Sequence, residues 1–143
     1  MQQFEYAVSV AHVDGRFSVH CRDFPELVAT ADDSTAALDQ AAAAMAGIFA
    51  DHMDAGKPLP KPSVPLPGEK LVSPAVAETI AKAALWEAMR EAGITKMQLA
   101  KRLDVDEKEV RRLLDPRCNS KLPRITQAIK LLGRKLHVRL ELA

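Results

Sequence analysis

Aromatic residues are scarce in this chain: 4% of 143 residues, with one Trp, one Tyr and four Phe. A core must therefore be built mainly from aliphatic side chains. Only two cysteines occur, Cys21 and Cys118, far apart and without a C-x-x-C companion. That excludes a disulfide framework and leaves a reduced, cytoplasmic chain as the expectation. No apolar run reaches membrane-spanning length, since the Ala-rich stretch at 41–50 is interrupted and flanked by acids. The opening M-Q-Q-F-E-Y lacks a basic start followed by an apolar run, so no signal peptide is expected. Missing too are a G-x-S-x-G elbow, a Walker loop and a dinucleotide fingerprint.

Charge of one sign also looks absent, with a net charge of +1. Dividing the chain at Gly68 changes that. Residues 1–68 carry 4 Lys+Arg against 9 Asp+Glu, and residues 69–143 carry 16 against 10. An acidic half joined to a basic half implies two jobs. The basic half can meet phosphate; the acidic half would repel it and suits a basic protein partner.

In the first half, Phe4 to Ala11 alternates loosely and is rich in strand formers. Asp14-Gly15 is a strong hairpin turn, and Arg16 to Cys21 runs back with Phe17, Val19 and Cys21 on one face. Leu27 to Ala31 reads as a third strand. Asp32 and Asp33 precede a long helix from Ser34 to about Ala55, which Gly56 ends; Leu38, Ala41, Met45, Ile48 and Phe49 form its expected apolar face. This is a β-β-β-α unit, one sheet face covered by one helix. Lys57 to Pro67 holds most of the prolines and reads as an extended, semi-stiff spacer, with a brief strand expected at 69–72. The expected domains are 1–56, a linker at 57–73, and 74–143.

In the second half, Pro74 to Ala92 is a helix of strong formers with Ile80, Ala84, Leu85, Ala88 and Met89 as its core side. Trp86 shares an offset strip with Lys82 and Arg90 and reads as a rim residue. Two short helices follow. Thr95 can cap the first, with Gln98 three residues on; Asp106 can cap the second, with Glu109 three residues on. Leu99, Ala100 and Leu103 form the inward face of one, Val110, Leu113 and Leu114 that of the other. Val105 fills the angle between them. Glu107, Lys108, Arg111 and Arg112 lie outward at helical spacing. A buried wedge and an outward Lys/Arg stripe read as a helix-turn-helix, with Asp104 where the turn most often has Gly. Arg117, Asn119, Ser120 and Lys121, in the loop before a fourth helix from Arg124 to Leu132, can touch phosphates. Lys135 to Leu142 alternates strictly, with Leu136, Val138, Leu140 and Leu142 on one side. A lone terminal strand needs a partner, and a second copy across a two-fold axis is the natural one.

His12, His20, His52 and His137 show no metal-ligand spacing, so no metal and no cofactor are expected. Glu5, Asp14, Asp23, Glu26, Asp32 and Asp33 could in principle hold Mg²⁺ for nuclease work, which needs several converging carboxylates. Asp14 is a turn residue, Asp33 a helix cap and Glu5 alone on its strand, so no enzymatic activity is expected.

The hairpin, then D-F-P-E-L-V-A-T-A-D-D, a long helix and G-K-P-L-P-K-P-S together resemble the N-terminal domain of the HicB antitoxins. The segments I-T-K-M-Q-L-A-K-R-L, V-D-E-K-E-V-R-R-L-L-D-P and S-K-L-P-R-I resemble the helix-turn-helix domain of one branch of that family. The resemblance departs at Ala31, where a Gly is usual, and at Ala36, where a Glu would complete a capping box. It implies an α+β chain: a partial ribonuclease-H-like domain without its catalytic machinery, a Pro-rich linker, and an all-α DNA-binding domain with a terminal dimerisation strand. It further implies neutralisation of a small basic, mRNA-cleaving toxin of the HicA type and repression of the shared operon by a homodimer or homotetramer on operator DNA. Candidate toxin contacts are Asp23, Glu26 and Asp32. Candidate DNA contacts are Lys108, Arg111 and Arg112, with Glu107 able to accept from a cytosine amino group, and Thr95, Lys96, Gln98 and Lys121 near phosphates or flanking bases. The rival reading is a ligand-sensing helix-turn-helix regulator without a toxin partner.

Overall fold

The computed structural model describes residues 3–142; Met1, Gln2 and Ala143, the outermost residues of the expected domains, lie outside the described residues. The elements are β1 (Tyr6–Val13), β2 (Arg16–Cys21), β3 (Val28–Ala31), α1 (Ser34–Asp54), β4 (Lys70–Val72), α2 (Ala77–Ala92), α3 (Lys96–Leu103), α4 (Glu107–Leu114) and α5 (Leu122–Leu131). The architecture is α+β, and the chain divides after Ile80 into two compact units.

The first unit is an antiparallel sheet in the order β3-β2-β1-β4. Its hairpin forms where expected: Asp14 and Gly15 both have positive φ (52° and 75°), the twist-matched geometry of a two-residue turn. That turn sets the register Val13↔Arg16, His12↔Phe17 and Val10↔Val19. β3 continues it with Val19↔Ala29, and β4 joins the other edge with Tyr6↔Val72.

Helix α1 opens on Asp33, whose carboxylate accepts from Ala36 N at 2.8 Å. Its buried residues are Ala37, Ala41, Met45, Phe49, Ala50 and Met53, largely one i, i+4 row. Leu38 and Ile48, expected on this face, are only half-buried. Both stand beside the buried row rather than on it, next to Ala37 and Phe49 in sequence. The scarce aromatics are concentrated here, with Tyr6 and Phe24 ring centroids 4.7 Å apart and Phe24 and Phe49 5.6 Å apart.

The proline-rich segment is not a free spacer. Leu59 is buried, and Tyr6 Oη donates to Pro60 O at 3.0 Å. The Asp23 carboxylate accepts from Ser63 N at 2.9 Å and from the Ser63 hydroxyl. Arg22 holds Glu69 through Nε at 3.2 Å and donates through Nη2 to Val64 O at 3.1 Å. Residues 57–73 therefore belong to the first unit. Proline lacks an N–H, so such a segment offers carbonyls rather than donors, and side-chain donors meet them.

In the second unit, α3 packs against both α4 and α5. Its buried residues include Leu85, Met89, Leu99, Val110, Leu114, Ile125 and Ile129. Trp86, expected at the rim, is buried, and Lys82 on the same strip is buried completely. Two helix ends share one device. Gly93 (φ 66°) ends α2 with Ile94 N bonded to Met89 O, and Asp104 (φ 57°) ends α3 with Val105 N bonded to Ala100 O, each at 3.0 Å. Residues 134–142 carry no strand, because a strand exists only where its backbone finds a partner. Leu136 is half-buried there, and Val138, Leu140 and Leu142 are 82%, 98% and 101% exposed.

Asp104 carries a left-handed backbone that glycine adopts at less cost. Asp104→Gly should stabilise the second unit by about 0.5–1 kcal/mol, and Asp104→Val should destabilise it by about 1–2 kcal/mol. Urea unfolding followed through Trp86, the single Trp, checks both signs.

Candidate functional site

The second unit presents its charges along α4 and the turn that follows. Asp106 caps α4 by accepting from Glu109 N at 2.8 Å. The Glu109 side chain does not complete a capping box; it pairs with Arg124. At α3 the box is complete, Thr95 Oγ1 accepting from Gln98 N at 3.1 Å and Gln98 Oε1 from Thr95 N at 2.9 Å. Thr95 and Gln98 are thus occupied by the helix start. Lys96 is half-buried, its Nζ 5.9 Å from the Trp86 ring centroid, with Arg90 at 5.8 Å.

On α4, Arg111 donates to Glu107 at 2.8 Å one turn back. Lys108 and Arg112 are exposed with no ion-pair partner among the described residues, as is Lys121 at the start of α5. These cations border one open cleft of about 480 Å³, together with Asn119, Ser120, Arg124, Leu113 and the helix-start acids Asp106 and Glu109. Arg117, expected to reach phosphate, instead folds onto Asp115 at 2.9 Å. That hydrogen bond, against partial desolvation, holds the Asp115 carboxyl below its ordinary range.

Of the expected contact residues, the fold gathers Lys108, Arg112 and Lys121 around the cleft, places Glu107 and Arg111 beside it as a pair, and leaves Thr95, Lys96 and Gln98 on α3. Arg124 lines the same cleft and was not anticipated. Its position before Ile125 at the start of α5 was the one available signal.

In the first unit, Asp23 is bound to Ser63 and Glu26 accepts from His52 Nε2 at 2.8 Å. Both lie in the loop between β2 and β3. Asp32 follows the far end of β3, paired loosely with Arg16 at 3.6 Å, at the same sheet end as Asp14. Asp39, Asp51 and Asp54 stand exposed on α1. These helix acids, absent from the expected contact set, carry much of the unit's negative surface. Among the described residues, no group of three or more His, Cys, Asp or Glu gathers as a metal site, and no helix is long and apolar enough to cross a membrane.

The family described as "HicB_like antitoxin of bacterial toxin-antitoxin system" matches residues 5–84. Antitoxin HicB of Pseudomonas fluorescens (strain Pf0-1) is 33% identical over 140 residues, 98% of this chain and 96% of that protein. The chain belongs to the HicB antitoxin family. As an antitoxin of a toxin–antitoxin system, it has a toxin for a partner.

The matched segment takes in all of the sheet, α1 and the proline-rich strap. It also carries the antitoxin's histidine–carboxylate contact between His52 and Glu26. Since a carboxylate only accepts, His52 Nε2 carries the proton in that bond. The His52 ring also stands edge-on to Phe24, centroids 5.3 Å apart. Desolvation raises the Glu26 pKa. Its own backbone N–H, the His52 hydrogen bond and the nearby His52 and Lys57 charges outweigh this and hold it below the ordinary value. The sign follows. A depressed carboxyl contributes stability that is complete above its unfolded pKa and disappears as pH falls through its lower folded one. Glu26→Gln should therefore lower the urea midpoint of the first unit at neutral pH and leave it equal to wild type in acid below the glutamate range. Near-ultraviolet dichroism of Tyr6, the single Tyr, measured across that range, checks the convergence.

Proposed function

We propose that this antitoxin neutralises a small basic ribonuclease of the HicA type through its first unit, and represses the operon of the pair by binding operator DNA through its second. In this reading the first unit is a partial ribonuclease-H-like fold, the α3–α4 pair is a helix-turn-helix, and α4 is the recognition helix in the major groove. The observation that carries the DNA half is the arrangement of α4. Val110, Leu113 and Leu114 are buried. Lys108, Arg112 and Lys121, without an ion-pair partner among the described residues, line one cleft, and α4 also carries the Glu107–Arg111 pair. Phosphates take Lys108, Arg112 and Lys121, and Arg111 turns from Glu107 to a base edge. The toxin half rests on family membership and on the acidic surface of Asp14, Asp32, Asp39, Asp51 and Asp54, which suits a cationic partner.

The alternating 136–142 segment pairs with a second copy, giving a homodimer or homotetramer in the cytoplasm. A palindromic operator with half-sites about one helical turn apart, or a multiple of it, follows from that symmetry.

Fluorescence anisotropy on duplex from the region upstream of the gene tests the DNA half. Arg111→Ala should weaken binding by about 1–3 kcal/mol and relax sequence choice at one position, whereas Arg112→Ala should weaken all sequences alike and reduce the salt slope by about 1. Unaltered binding by both variants would remove α4 as the reader. For assembly, a Val138→Asp, Leu140→Asp variant should sediment as a monomer and lose most operator affinity. For the toxin, replacing Asp32 and Asp51 together by Lys should loosen the complex by about tenfold or more through like-charge contact, measured by titration calorimetry with the neighbouring gene's product.

A further inference from the structure

The one fully buried ionised side chain among the described residues stands behind the cleft. Lys82, on α2, has no exposed surface. Its Nζ lies 3.1 Å from Arg112 O, 2.8 Å from Asp115 O, 2.6 Å from Cys118 O and 2.9 Å from Ser120 Oγ. Arg112 O belongs to the last turn of α4, whose carbonyls have no acceptor role left inside the helix and gather the negative end of its dipole. The other oxygens belong to the turn between α4 and α5. One ammonium therefore joins three pieces of chain: the α2 backbone that carries it, the end of α4, and the turn at 115–120.

That turn shapes the cleft. Asn119, Ser120 and the following Lys121 line it together with Lys108 and Arg112 of α4. Within the turn, Cys118 N bonds to Asp115 O at 3.0 Å and Ser120 Oγ also lies 3.4 Å from Arg112 O. Each of these local bonds involves a group that Lys82 also holds. A buried charge persists only where acceptors are already in place, so the ammonium and the turn conformation require each other. Buried as it is, Lys82 cannot touch a ligand.

We propose that Lys82 is the positioning residue of the phosphate-facing cleft. By holding the 115–120 turn against the end of α4, it sets Asn119 and Lys121 at the spacing from Lys108 and Arg112 that one stretch of duplex backbone requires. This role rests on the nucleic-acid reading above.

The test uses the full-length chain and fluorescein-labelled duplex from upstream of its own gene, with affinity measured at several salt concentrations. Lys82→Met keeps the apolar stem and removes the ammonium. It should bind about tenfold more weakly or worse, as expected when charge-assisted hydrogen bonds are removed. Its plot of log affinity against log salt should also be shallower by about 0.9 for each phosphate that the protein no longer neutralises. A merely structural role lowers affinity by one factor at every salt and leaves that slope intact. A weakened variant with the wild-type slope, or one with unchanged affinity, overturns the proposal. Should Lys82→Met lose the cooperative transition reported by Trp86, Ser120→Ala decides instead. Losing one hydroxyl partner should cost roughly twofold to fivefold with a shallower slope, and wild-type behaviour would overturn the assignment. If the wild-type chain itself fails to bind the duplex, the nucleic-acid reading falls first, and this inference falls with it.

Discussion

Lys82 can be buried because oxygens from α4 and from the following turn converge on its ammonium. The same demand, that a polar group leaving water be met by another, organises both units. In the first, Pro60 and Val64 contribute carbonyls that no proline N–H could have balanced, and Tyr6 and Arg22 supply the donors. In the second, α2 and α3 each end by turning one residue left-handed so that later N–H groups return to the helix's open carbonyls. Two buried nitrogens, His52 Nδ1 and Trp86 Nε1, have no partner among the described residues, and nothing in the fold accounts for them.

What was legible in the sequence is what is local. The Asp14-Gly15 turn, the Thr95 and Asp106 caps, the αL residue at Asp104 and the buried stripe of α4 each depend on residues within a few positions, where spacing rules apply. The strap was not legible. Its proline content reads as a spacer, and the bonds that fasten it span 54, 42 and 40 positions. Lys82 was hidden for the same reason, because hydropathy sends a lysine outward and its acceptors lie 30 to 38 residues later. The site divides likewise: Lys108 and Arg112 follow from helical spacing. Arg124 and its pairing with Glu109 do not, because the two residues meet across 15 positions on different helices.

The C-terminal segment presents the opposite case, apolar side chains left in water. Residues 134–142 place Val138, Leu140 and Leu142 in water in an alternating pattern, and the second unit holds no strand among its described residues. Alternation over that length is costly to display and costs nothing in a ladder, so the apolar stripe and the unpaired backbone call for the same remedy. A second copy supplies both at once, which is why the assembly proposed above needs no further contact to be invoked.

Under the DNA-binding proposal, the paired charges around α4 bear on how strongly that face would hold a duplex. Glu107 neutralises Arg111 and Glu109 neutralises Arg124 in the free chain, so contact with phosphate or base must exchange one partner for another. Both pairs are exposed, and exposed pairs are worth only about 0–1 kcal/mol each, so the exchange is cheap but not free. The acids remain at the interface after it and repel the duplex unless a donor answers them. A sequence that offers such a donor, a cytosine amino group within reach of Glu107 for instance, then gains more over other sequences than cations alone would give. Under the proposed function, the carboxylates of α4 lower affinity for DNA in general and widen the gap between operator and everything else, the balance that repression of its own operon would require.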